Sequence, residues 1–155
     1  MKNQKGFSLI ELLIVVVIIG VIAAIAIPNM LASRRSANEG SAISLMRTLN
    51  SANASYQTSV GSGKFAPNLA ALNSAGLIDI GVATSTTAAN AKSGYFYTYD
   101  GVDVNDNPSN YNIIAAPAST GALTATGTRE YFIDGSGVIR VADTGVSSTS
   151  SPLNK

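Results

Sequence analysis

The chain has 155 residues, 46% of them hydrophobic and 12% charged, and ten Lys and Arg stand against nine Asp and Glu. That length makes one domain of ordinary size, and the near-neutral balance lacks the basic excess through which phosphate contacts dominate, so nucleic acid is not a default partner. With no His and no Cys, triads and dyads built on those residues, thiolate or imidazole zinc sites and disulfides are excluded.

The chain opens on a short basic leader with Lys2 and Lys5, and from Leu12 to Ile27 sixteen residues carry no polar side chain. Counted back to Phe7, the apolar stretch is twenty-one residues broken by Ser8 and Glu11. At about 1.5 Å per helical residue it reaches about 31 Å, the thickness of a hydrocarbon core. Three readings compete for this segment. An ordinary secretory signal would be cut after Ala26, at the small residues Ala24 and Ala26. A plain anchor helix would remain uncut. Neither accounts for Glu11, a carboxylate inside an apolar block where charge costs about 2.5–3.5 kcal/mol and is retained for a function or a partner.

The third reading comes from Lys5-Gly6-Phe7-Ser8-Leu9-Ile10-Glu11 followed by the unbroken apolar run. This stretch closely resembles the class III signal of type IV pilins and of the pseudopilins of type II secretion, and the match covers about residues 1–35. The resemblance implies cleavage between Gly6 and Phe7 by a membrane prepilin peptidase and N-methylation of the new Phe7 amine. It also implies an acidic residue five positions into the mature chain, here Glu11, and places Gly20 and Pro28 where such pilins weaken and kink the helix. On the same footing the subunit is a membrane protein of the inner membrane before assembly and part of an extracellular filament afterwards. Its partners are then copies of itself, the peptidase and methylase, and the inner-membrane assembly machinery. In a packed array of helices, the Glu11 carboxylate, without a partner in its own helix, would meet the Phe7 ammonium of a neighbour and fix one axial stagger, as a buried polar residue fixes coiled-coil register. Loss of helical hydrogen bonds between Gly20 and Pro28 would let such a fibre stretch.

Beyond Pro28 small and apolar residues continue at Leu31, Ala42, Leu45, Leu49, Ala52 and Tyr56, with Asn38 a polar exception. Their spacing predicts that the helix runs on as an amphipathic stripe to about Ser59, with Ser33, Arg34, Arg35, Glu39, Arg47 and Asn50 on its outer surface. Val60-Gly61-Ser62-Gly63 ends it. Residues 61–93 read as a connector holding a short helix that starts near Pro67 or Asn68 and stops before Gly76, and Gly81–Gly94 reads as exposed. Strand signals follow at Tyr95–Tyr99, Tyr111–Ala116, Arg129–Ile133 and Val138–Val141, the last two joined by Asp134-Gly135-Ser136-Gly137. The expected fold is α+β: a long N-terminal helix, hydrophobic then amphipathic, on a small antiparallel sheet over 94–142, with a Ser-rich flexible tail over 143–155. That architecture is pilin-like. Many pilins close their C-terminal region with a disulfide, which this chain cannot do.

No enzyme motif and no cofactor site is present. Asp100, Asp103 and Asp106, with Asn105 and Asn107, form a cluster of oxygen-bearing side chains, but Pro108 and Ile114 stand where an EF-hand loop begun at Asp103 needs Gly and Glu. The cluster is read as a solvated turn with no metal. Under the secretion-pseudopilin alternative those three aspartates are calcium candidates, although the Trp-Gly-x-Pro-Tyr type segment of the major pseudopilins is missing. The alternative of another class is a secreted binding protein with an ordinary signal. Residues 8–55 hold no aromatic side chain, which leaves no stacked path for electrical conduction along a helical core.

Overall fold

The structure is a computed structural model that describes residues 6–103, 108–121 and 123–153. The chain divides into two compact units, Met1–Arg34 and Arg35–Lys155. Helix α1, Leu9–Ser59, belongs to both and passes without interruption through Gly20 and Pro28. Two short helices follow, α2 at Leu69–Ser74 and α3 at Ile80–Ala83, then a 3₁₀ turn at Ala88–Asn90. The sheet comprises β1 (Tyr95–Asp103), β2 (Pro108–Pro117), β3 (Glu130–Asp134) and β4 (Arg140–Ala142), antiparallel in the order β1-β2-β3-β4. A long N-terminal helix packed with a small antiparallel sheet is thus the observed architecture.

Local chemistry explains the boundaries. Asn68 caps α2 by accepting the Ala71 N–H at 2.9 Å, and Gly76, at φ +71, lets the chain turn away behind it. Asp79 caps α3 through the Val82 N–H at 3.0 Å. The expectation of an exposed 81–94 stretch holds over 86–90 but not at α3, where Val82 and Ser85 are buried and the Ser85 carbonyl accepts the Tyr97 N–H from the edge of β1. The turn after β3 is wider than its sequence suggests. Asp134 accepts from the amide and hydroxyl of Ser136, so pairing resumes at Arg140 opposite Phe132 and not at Val138.

Within the second unit, Ala42, Met46, Leu49 and Ala52 of α1 share one core with Tyr95, Tyr97, Tyr111, Ile113, Tyr131 and Ile133 of the sheet. The buried stripe is the expected one widened by Met46 and Asn53. Asn53 is tolerated there because it accepts the Tyr99 hydroxyl at 2.8 Å and donates to the Leu49 carbonyl at 3.1 Å. Three residues expected on the outer surface are in use. Arg35 donates to the Ala125 carbonyl at 3.3 Å, Glu39 accepts from the amide and hydroxyl of Thr128, and Asn50 accepts the Tyr111 hydroxyl. Asn38 adds a bond to the Thr126 carbonyl at 2.8 Å. Polar residues of α1 therefore pin the β2–β3 connection and two sheet tyrosines, Tyr99 and Tyr111. Burial pushes the Tyr111 and Tyr131 hydroxyls up to about 12 and raises those of Tyr95, Tyr97 and Tyr99 as well.

The C-terminal stretch differs from the free tail that its composition suggests. The Val141 N–H donates to the Ser151 carbonyl and the Leu153 N–H to the Ile139 carbonyl, so the chain returns along β4. Val146 is 5% exposed, and Glu130 accepts the Gly145 N–H at 2.7 Å. Backbone pairing along the β4 edge and a covered apolar side chain hold this stretch without a disulfide.

Candidate assembly site

Gly6, Phe7 and Ser8 precede α1 in irregular conformation and are exposed, Phe7 to 89%. Ser8 begins the helix: its carbonyl accepts the Leu12 N–H at 3.3 Å, and its own N–H donates to Glu11 Oε2 at 2.8 Å. A Glu three residues after the capping residue that reaches back to its amide is one half of a capping box, and it also places negative charge at the positive end of the helix dipole.

This geometry corrects the expectation that Glu11 has no partner in its own helix. The first amides of any helix lack intrahelical acceptors, and Glu11 is the near carboxylate able to serve one. Ser8 is the residue that sequence reasoning missed, although Ser8-x-x-Glu11 before an apolar run is itself a helix-start signature. Glu11 Oε1 has no partner among the described residues.

Around this group the helix is apolar on every side. From Leu9 to Met30 the large aliphatic side chains are about half exposed or more, from 49% at Val15 to 80% at Leu9. Leu9, Leu12, Leu13, Val16 and Val17 shape a shallow apolar groove of about 330 Å³ on one face of this stretch. Among the described residues α1 is the one helix long and apolar enough to cross a membrane.

Further along, a Cβ built on Gly20 would meet nothing within 4 Å, so nothing in its own chain demands a glycine there. Pro28 removes the amide that would bond to the Ala24 carbonyl. One residue later the Asn29 side chain donates to the Ile25 carbonyl at 3.2 Å. The calcium candidates lie only partly within the described residues. Asp100 is exposed on β1 opposite Asn112, Asp103 ends that strand, and Asp106 lies outside the described residues. The aromatic contacts are in the sheet core, where Tyr99 and Tyr111 stack at 6.0 Å and Phe65 meets Tyr111 edge-on at 5.0 Å.

Residues 1–27 match the family described as the prokaryotic N-terminal methylation motif. Over 77 residues the chain is 43% identical to the type IV wide pilus major component PilA4 of Thermus thermophilus, covering 50% of this chain and 57% of that protein. It is 38% identical over 50 residues to the type II secretion system core protein G of Escherichia coli, 32% of this chain and 34% of that one. A fimbrial protein of Pseudomonas aeruginosa is 76% identical over 29 residues, 19% of each chain. The chain thus spans little more than half the length of the first of these relatives and about a third or less of the others. No solved structure matches it. Over the matched stretches the chain is homologous to type IV pilins and to protein G pseudopilins, and it carries the methylation motif.

Proposed function

We propose that the chain is a pilin-like structural subunit of a type IV pilus or a closely related filament, without catalysis of its own. One observation carries this reading: between residues 6 and 33 the only charged side chain is Glu11, at the start of a helix apolar and exposed on all sides. Such a surface requires lipid or copies of itself. The methylation motif supports a processing step in which the peptidase cuts between Gly6 and Phe7 and the new Phe7 amine is methylated. The subunit then waits in the inner membrane until the assembly machinery there passes it into the filament at the cell surface.

The self-cap of Glu11 sharpens the register argument. Oε2 is held by the Ser8 amide, which fixes the carboxylate, and Oε1 is left to the Phe7 ammonium of a neighbouring subunit. A charge pair of that kind, surrounded by aliphatic side chains, contributes more to the choice of stagger than to net stability. In the same reading Gly20 and Pro28 bound a stretch of weakened helix whose opening inside the filament gives the fibre its extension. The weakness has a local basis in the missing Pro28 amide and in roughly 1 kcal/mol of lost helix propensity at Gly20. Between the two family readings, the longer match to a pilus component, 77 residues against 50 for protein G, favours the pilus over the secretion pseudopilus.

Glu11→Ala tests the reading. The variant removes a costly charge from the spanning segment, so the subunit enters the membrane at least as well as the wild type, while surface filaments seen by electron microscopy become sparse or absent. Normal filament yield would show that the Phe7 ammonium has another partner.

A further inference from the structure

Most of the buried sheet tyrosines give their hydroxyl to a nearby oxygen. Tyr95 donates to the Arg129 carbonyl, Tyr99 to Asn53 and the Ala66 carbonyl, and Tyr111 to Asn50. Tyr97 departs from this pattern: it is 1% exposed, yet its hydroxyl has no partner among the described residues. A buried O–H left unpaired is unfavourable, and native structures account for such groups with water or a ligand. Among the described residues the sealed side-chain polar atom without a partner is Arg140 Nε, so the Tyr97 hydroxyl keeps some access to solvent, and Tyr97 lines two cavities, one of about 290 Å³ against α1 and one of about 270 Å³ against α2 and α3, of which the first holds the cationic side chain.

The other walls of that first cavity are hydroxyl-rich around one apolar residue, Leu45. Ser41, Ser44 and Thr48 come from one face of α1, and Lys92 and Ser93 from the turn before β1. In that turn Ser93 and Gly94 take φ +50 and +75, closed by the Lys92 N–H on the Tyr95 carbonyl at 2.8 Å. Two positive-φ residues in succession are ordinarily Asn-Gly, and here the first position is a hydroxyl-bearing residue on the cavity wall. Lys92 Nζ lies 2.9 Å from Asp79 Oδ2 and 3.3 Å from Oδ1, and this contact holds the Asp79 carboxyl below its usual range. Lys92 lines the cavity, and since an ammonium has three donors, one remains beyond the two on Asp79. The Thr48 hydroxyl donates to the Ser44 carbonyl at 3.2 Å.

No carboxylate and no side-chain amide lines the space. Its unused hydrogen-bonding capacity consists of the Tyr97 O–H, the remaining Lys92 N–H and serine hydroxyls. The complement of such a set is a compact group bearing several acceptor oxygens and negative charge. We propose that this cavity binds a phosphate-type oxyanion, inorganic or as a small phosphomonoester, with Tyr97 and Lys92 as its principal donors. The bound group would give the Tyr97 hydroxyl the acceptor that the protein withholds.

The test uses the full chain in detergent, with inorganic phosphate, glycerol 3-phosphate, chloride at matched ionic strength, and mannitol as a neutral polyol. Binding is followed by equilibrium dialysis and melting temperature for the wild type, Tyr97→Phe and Lys92→Met. The expected result is saturable binding of phosphate or of glycerol 3-phosphate, and not of chloride or mannitol, with whichever of the two binds tighter naming the source. Tyr97→Phe weakens that binding tenfold or more, while its melting temperature without phosphate is unchanged or higher, because an unpaired hydroxyl has been removed. Equal effects of chloride, preference for mannitol, or unaltered phosphate binding by Tyr97→Phe would overturn the proposal. So would a lowered melting temperature of Tyr97→Phe in phosphate-free buffer, which would assign the hydroxyl a structural partner. Tyr97→Phe decides the matter even if Lys92→Met fails to fold for want of the Asp79 partner.

Discussion

Along α1, the aliphatic residues from Leu9 to Met30 are about half exposed or more, whereas Ala42, Met46, Leu49 and Asn53 are fully covered. Polar residues divide the same way. The first stretch has one carboxylate, Glu11, whose cap is its own Ser8 amide, while the second uses Arg35, Asn38, Glu39, Asn50 and Asn53 to hold loops and tyrosines of its own unit. Both stretches are helical. The difference lies in who supplies the partner: the second finds its partner within the chain, and the first, in the function proposed above, obtains it from lipid or from other subunits.

Removal of the first stretch is the sharpest way to break this comparison. With residues 1–34 deleted, the remainder should be a folded, soluble monomer, since the core from Ala42 to Ile139 lies wholly within the second unit. Circular dichroism and light scattering check it. Aggregation or loss of tertiary signal would mean that the first stretch contributes to the fold.

Alkali should strike the second unit alone. Tyr111 and Tyr131 lose their protons near 10 in the unfolded chain and near about 12 in the folded one, chiefly because burial disfavours the phenolate. Their contribution is therefore complete below pH 10 and is lost as the pH climbs towards 12. No tyrosine lies before Tyr56. Chemical denaturation of the truncated unit at pH 9 and pH 11 should show the fall, and equal stability at both would remove burial of these hydroxyls from the account.

Smaller and more local is Leu49→Ala. Leu49 is 0% exposed, and its truncation should cost about 2–5 kcal/mol of unfolding free energy. Leu13→Ala, at a residue 56% exposed, should leave the stability of that unit within about 0.5 kcal/mol. Comparable losses from both would erase the distinction between the two stretches.

Much of this division is legible in the amino-acid order. The apolar run, the stripe from Ala42 to Tyr56, the Asn68 cap and the four strands announce themselves because each rests on residues near in sequence. What stays hidden depends on tertiary neighbours. Asn50 reads as a surface residue until Tyr111 is known to face it, and the serine-rich C-terminal stretch reads as free until β4 is known to offer an unpaired edge. Ser8 is a different case. Its pairing with Glu11 is local and was available from the pattern, but the same residues also spell a processing signal, and one reading obscured the other.

The central claim is that the apolar helix is retained in a mature chain that begins at Phe7, so that Glu11 enters an assembly near a free amine. Mass spectrometry of the intact subunit recovered from cells tests this most directly. The account predicts a chain starting at Phe7, methylated on its amine. Loss of Lys2 and Lys5 leaves eight basic against nine acidic residues, a net charge of −1. A mature chain starting at Ile27 would contradict it, because cleavage after Ala26 would discard Glu11 and the apolar surface with it.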